Sequence, residues 1–296
     1  MYKVDNAVIM AAGVSSRFAP LSWEIPKPLL RVKGEILIER QIRQLKDAGI
    51  PKIYVVVGYM ADKFSYLEDT CGVTLLYSPE YMHRNNNGSI YTARHVLRNS
   101  YVCSGDNYFS SNPFTREVMD SYYAGIYADG ETQEWCMTEG MDGYIDKVSI
   151  GGKYAWYMLG HTFWNETFST IFLQILEREY FAPETRNKLW EHIFVEHLTD
   201  LKMFIKKYLP HEIWEFDTLE ELRAFDESYV EDTRSTVLKQ IARELETKES
   251  ELYDIHVGDG DGTAVFLFRC NGFLYRYNRA TASFHKIEPE FEQVEA

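Results

Sequence analysis

Residues 7–18 read AVIMAAGVSSRF, and the fold is decided there. Ala7 to Met10 is an unbroken apolar run, the pattern of a strand covered on both faces in a parallel sheet. It passes straight into small residues, Ala11, Ala12, Gly13, Ser15 and Ser16, and ends in Arg17. Downstream, Ile38, Ile42, Leu45 and Ala48 recur at helical spacing and are closed by Gly49 and Pro51. IYVVV, Ile53 to Val57, is then a second fully apolar strand, which completes a βαβ unit. Phe64 and Leu67 predict another helix, VTLLY (Val73 to Tyr77) a third strand, and Ser89 to Leu97 a helix leading into YVCSGDNYF. This alternation predicts an α/β fold with a doubly wound, mostly parallel, Rossmann-like sheet.

From Tyr122 to Trp164 the pattern changes to short strand-like stretches, EWCMTE, GYIDKVSI, YAWYML and HTFW, which predict an inserted antiparallel layer. Ile171, Phe172, Ile175 and Leu176, then Ile193 and Leu198, return to helical spacing, and KMFIKKY and EIWEF read as late strands. A catalytic domain is expected over 1–228. Residues 229–296 are expected to form a small α+β module, with Val237, Ile241 and Leu245 as a helix stripe and AVFLF, FLYRY and SFHKI as strands. Packing, homodimer formation and regulation are all open roles for that module.

The 296 residues allow one large domain with an appendage, and 45% hydrophobic content is enough for a full core. Acidic side chains outnumber basic ones 45 to 31, giving a net charge of -14. That balance disfavours nucleic acid and anionic membrane surfaces as partners. Cys71, Cys103, Cys136 and Cys270 form no C-x-x-C pair, so they are expected to be buried thiols rather than a zinc site or disulfide framework. No apolar stretch reaches membrane-spanning length, and a cytoplasmic enzyme is the expectation.

The loop AAGVSSRF (Ala11 to Phe18) and the following PKPLL (Pro26 to Leu30) carry the chemistry. A small-residue loop at a strand's carboxyl end lets backbone N–H groups approach phosphate oxygens, with Gly13 expected to take dihedrals other residues avoid. Arg17 offers a planar fork of donors for phosphate, and Lys27 a compact cation for charge developing on a phosphoryl group. The loop matches neither the Walker pattern nor G-x-G-x-x-G.

This pairing of a Gly-containing loop ending in Arg with a Pro-Lys-Pro loop resembles the nucleotidyltransferase superfamily. VVVGY, NNNGSIYTA, SGDNYF, QEW and KLWEH, in that order, are similar more narrowly to the bacterial LicC-type CTP:phosphocholine cytidylyltransferases, over roughly residues 4 to 226. The resemblance implies magnesium held by Asp106 and by Glu191, where the family usually has Asp. It also implies a cytosine base near Ala11, Gly58, Tyr59, Asn86 and Ser89, where an Asn amide can match a mixed donor and acceptor edge. Trp135 and Trp190 match positions lining a choline pocket, to which Glu134 could add negative charge, because a quaternary ammonium is held over aromatic faces. Tyr157 and Trp164 are further candidates, and Phe163 reads as core. The implied reaction joins CTP to phosphocholine. Phosphoethanolamine, 2-aminoethylphosphonate, a sugar 1-phosphate and a non-catalytic nucleotide-binding module remain alternatives.

Two patterns invite other readings. In EHIFVEH the histidines His192 and His197 are five apart, whereas the zinc-protease helix needs i and i+4, so surface histidines are expected. DGDGT, Asp259 to Thr263, lacks the remaining ligands of a calcium loop and reads as a strand-to-strand turn.

Overall fold

The first apolar run forms strand β1 (Asn6–Ala11), in which Ala7, Val8 and Ile9 are fully buried. In the computed structural model, which describes residues 1–258 and 264–287, β1 lies at the centre of a nine-stranded sheet. DGDGT lies outside the described residues. By internal contacts the chain forms two compact units. One comprises Met1–Gly13, Pro28–Arg31 and Glu35–Glu215, and the other comprises Val14–Lys27, Val32–Gly34 and the chain from Phe216 onward.

In the first unit, β2 (Ile53–Val57), β3 (Thr74–Tyr77) and β4 (Ser100–Ser104) join β1 as a parallel set in the order β4-β1-β2-β3. Helix α1 (Leu37–Asp47) buries Ile38, Ile42 and Leu45 and is closed by Gly49 at φ 76°, with Ile50 N donating to Leu45 O at 3.1 Å. A glycine in the left-handed region lets those last carbonyls be satisfied. Helix α2 is shorter than expected, Asn87–Ala93 rather than reaching Leu97, because residues 94–96 continue only as turn.

The antiparallel strands continue the same sheet. They are β5 (Tyr122–Tyr127), β6 (Glu131–Glu139), β7 (Ile145–Lys153) and β8 (Trp156–Trp164), with β8 antiparallel to β4. Helix α3 (Glu166–Glu179) starts at Asn165, whose side-chain oxygen accepts from Phe168 N at 2.7 Å. Helix α4 (Trp190–Glu196) follows, and strand β9 (Phe204–Tyr208) pairs in parallel with β5. Val8, Val56, Ile90, Val102, Trp164 and Phe172 belong to one continuous core.

The second unit holds helix α5 (Leu219–Phe225), helix α6 (Thr236–Glu244) and a four-stranded antiparallel sheet. Its strands, in order, are β10 (Tyr253–Val257), β11 (Val265–Cys270), β12 (Phe273–Asn278) and β13 (Ser283–Lys286). Leu238 and Ile241 of α6 are buried, as are Phe266 and Phe268 of β11. Cys103, Cys136 and Cys270 are buried free thiols, and Cys71 is half-buried. Among the described residues no helix is long and apolar enough to cross a membrane.

One polar cluster lies deep in the first unit. His161 of β8 is fully buried, and its Nε2 pairs with Tyr122 Oη at 2.8 Å while Phe109 and Phe114 close over the ring. Lys206 donates to Tyr122 Oη at 3.4 Å and lies 4.7 Å over that tyrosine ring. Burial first, and then the Lys206 charge, hold His161 well below the usual imidazole range. Folding therefore requires neutral His161. Its contribution is complete above the unfolded pKa, near 6.5, and falls by about 1.4 kcal/mol per pH unit as acid is added, until the folded pKa is reached. Urea unfolding of the wild type and His161→Asn between pH 5 and 7 should show that difference in slope, and parallel curves would rule the effect out.

Candidate active site

Ala11 ends β1 and Ala12 follows it, both buried, while Gly13 is exposed. Gly13 does not take the left-handed backbone expected of it, and a Cβ there would meet nothing within 4 Å. Ser15 takes that conformation instead, at φ 51°, with its carbonyl accepting from Phe18 N at 2.9 Å. Ser15 and Ser16 are half-buried. The glycine with a steric requirement is Gly58, after β2, where an added Cβ would come within 2.6 Å of Tyr81 and 3.0 Å of Ala12 O. That close approach lets Tyr59 N donate to Ala12 O at 3.1 Å, so the ends of β1 and β2 are locked together.

In the second unit, Arg17 and Lys27 share one carboxylate that sequence reading missed. Arg17 Nη1 lies 2.7 Å from Asp217 Oδ2, and Lys27 Nζ lies 3.5 Å from Asp217 Oδ1. Arg17 is 73% exposed and Lys27 only 4%, so the exposed fork and the buried ammonium are held ten residues apart by a single acid.

In the first unit, Asp106 is half-buried in the turn after β4, with Gly105 N bonded to Met10 O at 2.9 Å. Glu191 is not the solvated helix residue its type suggests. Asn86 Nδ2 donates to Glu191 Oε2 at 3.0 Å, Tyr123 Oη donates to Oε1 at 3.2 Å, and Asn86 Oδ1 accepts from Trp190 N at 2.7 Å. Asn86 thus spends both ends of its amide on the Trp190–Glu191 turn rather than presenting an open edge. Ser89, one turn into α2, is buried. Burial pushes the Glu191 carboxyl up to about 7, against the hydrogen bonds of Asn86, the backbone and Tyr123. Among the described residues no basic side chain pairs with it. Burial, together with the charges of Glu191 and Glu215, raises the Tyr123 phenol well above its ordinary range. Asn107 Nδ2 donates to Glu215 Oε2 at 3.1 Å.

Trp190 does not line an open pocket. It is 1% exposed, stacked on Tyr123 at 5.7 Å and edge-on to Trp164 at 5.0 Å, so its indole is core. Trp164 and Phe163 are fully buried as well. Trp135 of β6 is half-buried and meets His192 edge-on at 4.6 Å. His192 is therefore part of this wall rather than a surface residue. Its Nδ1 accepts from Leu189 N at 3.0 Å, and burial, followed by Lys188, lowers its pKa against the pull of Glu196. Glu134 is exposed on β6, and Tyr157 is raised by burial and then by the charges of Glu134 and Glu215. Cys136 pairs with Tyr157 and Met137 with Trp156, so Trp135 and Tyr157 lie on opposite faces of the sheet. Helix α4 sends three successive residues to three tasks: Trp190 to the core, Glu191 to Asn86 and Tyr123, and His192 to Trp135.

Residues 7–137 match the MobA-like NTP transferase domain. The chain is 30% identical to the choline-phosphate cytidylyltransferase of Streptococcus pneumoniae over 222 residues, 75% of this chain and 97% of that protein. It belongs to the LicC-type cytidylyltransferases of the nucleotidyltransferase superfamily. A 2-aminoethylphosphonate cytidylyltransferase of Lancefieldella rimae is 33% identical over 229 residues, 76% of this chain and 93% of that protein. The solved structure of the Streptococcus pneumoniae CTP:phosphocholine cytidylyltransferase superposes with a TM-score of 0.73 at 30% identity, covering 77% of this chain and 99% of that one. This LicC-type chain therefore carries a stretch beyond what those relatives match.

A carboxylate raised from 4.5 to about 7 contributes stability that is complete below pH 4.5 and lost as pH rises through 7. In EDTA, Glu191→Gln should raise the melting temperature at pH 8 by about 2–4 °C. The gain should shrink toward zero near pH 4.5, and an equal gain at both pH values would contradict the assignment.

Proposed function

We propose that this LicC-type chain transfers CMP from CTP to phosphocholine, giving CDP-choline and pyrophosphate. A phosphate oxygen of phosphocholine attacks the α-phosphorus of CTP in line. The new P–O bond forms as the bond to the β-phosphate oxygen breaks, and the electron pair leaves with pyrophosphate. Phosphate is already anionic at neutral pH, so no general base is required and positioning dominates. Arg17 and the loop Ala11 to Ser16 hold the leaving phosphates. Lys27, fixed and largely desolvated, offsets charge at the α-phosphate, where a buried cation acts more strongly than one in water. The triphosphate competes with Asp217 for both cations.

Asp106 and Glu191 would hold magnesium. The fit rests on Glu191, a desolvated carboxylate that among the described residues is held by neutral donors, which is what a divalent cation would relieve. When bound, the ion neutralises phosphate charge. Gly58 and Tyr59 bring backbone to the β1 loop, where the base would rest, and Ser89 belongs to that wall with Asn86 as its support.

The observation that carries the choice of acceptor is Trp135, a half-buried indole edge-on to His192, with the exposed carboxylate of Glu134 next to it in the chain. Aromatic faces with nearby negative charge suit a trimethylammonium group. That acid also favours a second reading, 2-aminoethylphosphonate, whose primary ammonium can donate hydrogen bonds to it, and the Lancefieldella relative acts on that compound by name.

A pyrophosphate-release assay with CTP and magnesium should rank phosphocholine first among phosphocholine, phosphoethanolamine, 2-aminoethylphosphonate and glucose 1-phosphate. Trp135→Ala should raise the KM for phosphocholine about tenfold and that for 2-aminoethylphosphonate less. A uniform change would remove Trp135 from acceptor recognition. Lys27→Ala should lower kcat by about 10²–10³ with unchanged circular dichroism, and near-normal turnover would refute its role.

A further inference from the structure

The loop that carries Arg17 and Lys27 is built into the C-terminal segment of the chain. Val14–Lys27 groups with the residues from Phe216 onward, and three separate contacts tie it there. At its ends, Arg17 and Lys27 meet Asp217. In its middle, Trp23, 6% exposed, packs edge-on against Phe266 at 5.5 Å and against Tyr277 at 6.1 Å, with the Arg279 guanidinium 5.1 Å over the indole.

The third tie is Glu24, whose carboxylate sits on the N-terminus of α6. Glu24 Oε1 accepts from Ser235 Oγ at 2.5 Å and from Val237 N at 3.4 Å, and Oε2 accepts from Thr236 N at 2.8 Å and Thr236 Oγ1 at 2.5 Å. A carboxylate accepting the first free N–H groups of a helix satisfies those donors and favours the positive end of the helix dipole. Lys27 lies only three positions after Glu24. Anchoring Trp23 and Glu24 therefore limits where both cations can sit.

We propose that the C-terminal segment is a brace for the phosphate-binding loop, and that Glu24 is a positioning residue that sets Arg17 and Lys27 for the nucleotide. This rests on the reading in which those two cations meet the triphosphate. The brace gives a role to the part of the chain that the motif resemblance, ending near residue 226, does not reach. It acts through Arg17 and Lys27, the two cations that the proposed reaction sets against the nucleotide's phosphates.

The test uses the full-length protein and its Glu24→Ala and Glu24→Gln variants, read by hydrogen exchange, CTP calorimetry and steady-state kinetics. Glu24→Ala should speed amide exchange in residues 14–27 about tenfold and leave Ile53–Val57 unchanged. CTP affinity should fall about tenfold with the KM for the acceptor unmoved. Glu24→Gln should recover part of both, because its amide oxygen can still accept from Thr236 N. Unchanged exchange in 14–27 would overturn the brace, as would faster exchange spread evenly into Ile53–Val57. A wild type that bound CTP but released no pyrophosphate with any acceptor would sink the catalytic reading and leave the brace standing, because exchange and affinity are read without turnover.

Discussion

Strand β1 has a parallel neighbour on each side and buries every residue but Met10, and the chemistry of the first unit follows from that constraint. Its backbone groups are committed to β2 and β4, and its side chains to the core, so only its carboxyl end is available to a ligand. The ends of the adjoining strands are available for the same reason. Gly58 follows β2, and Asp106 follows β4. In open α/β sheets ligands collect beyond the carboxyl ends of the strands, where loop backbone is unpaired and side chains from separate crossovers converge. Gly58 shows how close that convergence is, since even one methylene there would strike Tyr81.

The parallel half of the sheet was legible because double-sided burial leaves an unmistakable trace, unbroken apolar runs at Ala7 to Met10 and Ile53 to Val57. Helix α1 was legible from its single apolar stripe and its closing glycine. The role of Trp190 was not, because a tryptophan in a functional motif and a tryptophan in a core look alike in sequence. Only Tyr123 and Trp164, far away along the chain, decide that it is core. Asn86 was misjudged for a related reason: its residue type offers a donor and an acceptor, but nothing local says that Trp190 N and Glu191 consume both. Asp217 and Glu215 were overlooked within EIWEFDT, where the pattern reports a strand and says nothing of the acids flanking its end. Glu24 is the hardest case, since its partners lie more than 200 residues away.

Charges in both units are arranged against what they are expected to bind. In the second unit a carboxylate, Asp217, holds the two cations that the proposed reaction assigns to phosphates. In the first, a desolvated carboxylate without a cationic partner among the described residues is kept by neutral donors alone. Each arrangement costs some stability or some affinity when no ligand is present. In return the groups are already oriented, so that binding exchanges one set of partners for another rather than ordering free side chains.

The tie between Glu24 and the start of α6 spans 211 residues of sequence from Glu24 to Ser235. During synthesis the loop emerges well before the residues that hold it. At ordinary translation speeds that interval is about 10–40 s. During it, strands β1 and β2 can pair and bury their apolar faces, but the loop has nothing to settle on. A ribosome-bound chain at that stage would thus possess much of its sheet, while the loop that carries Arg17 and Lys27 would still lack the partners that hold it.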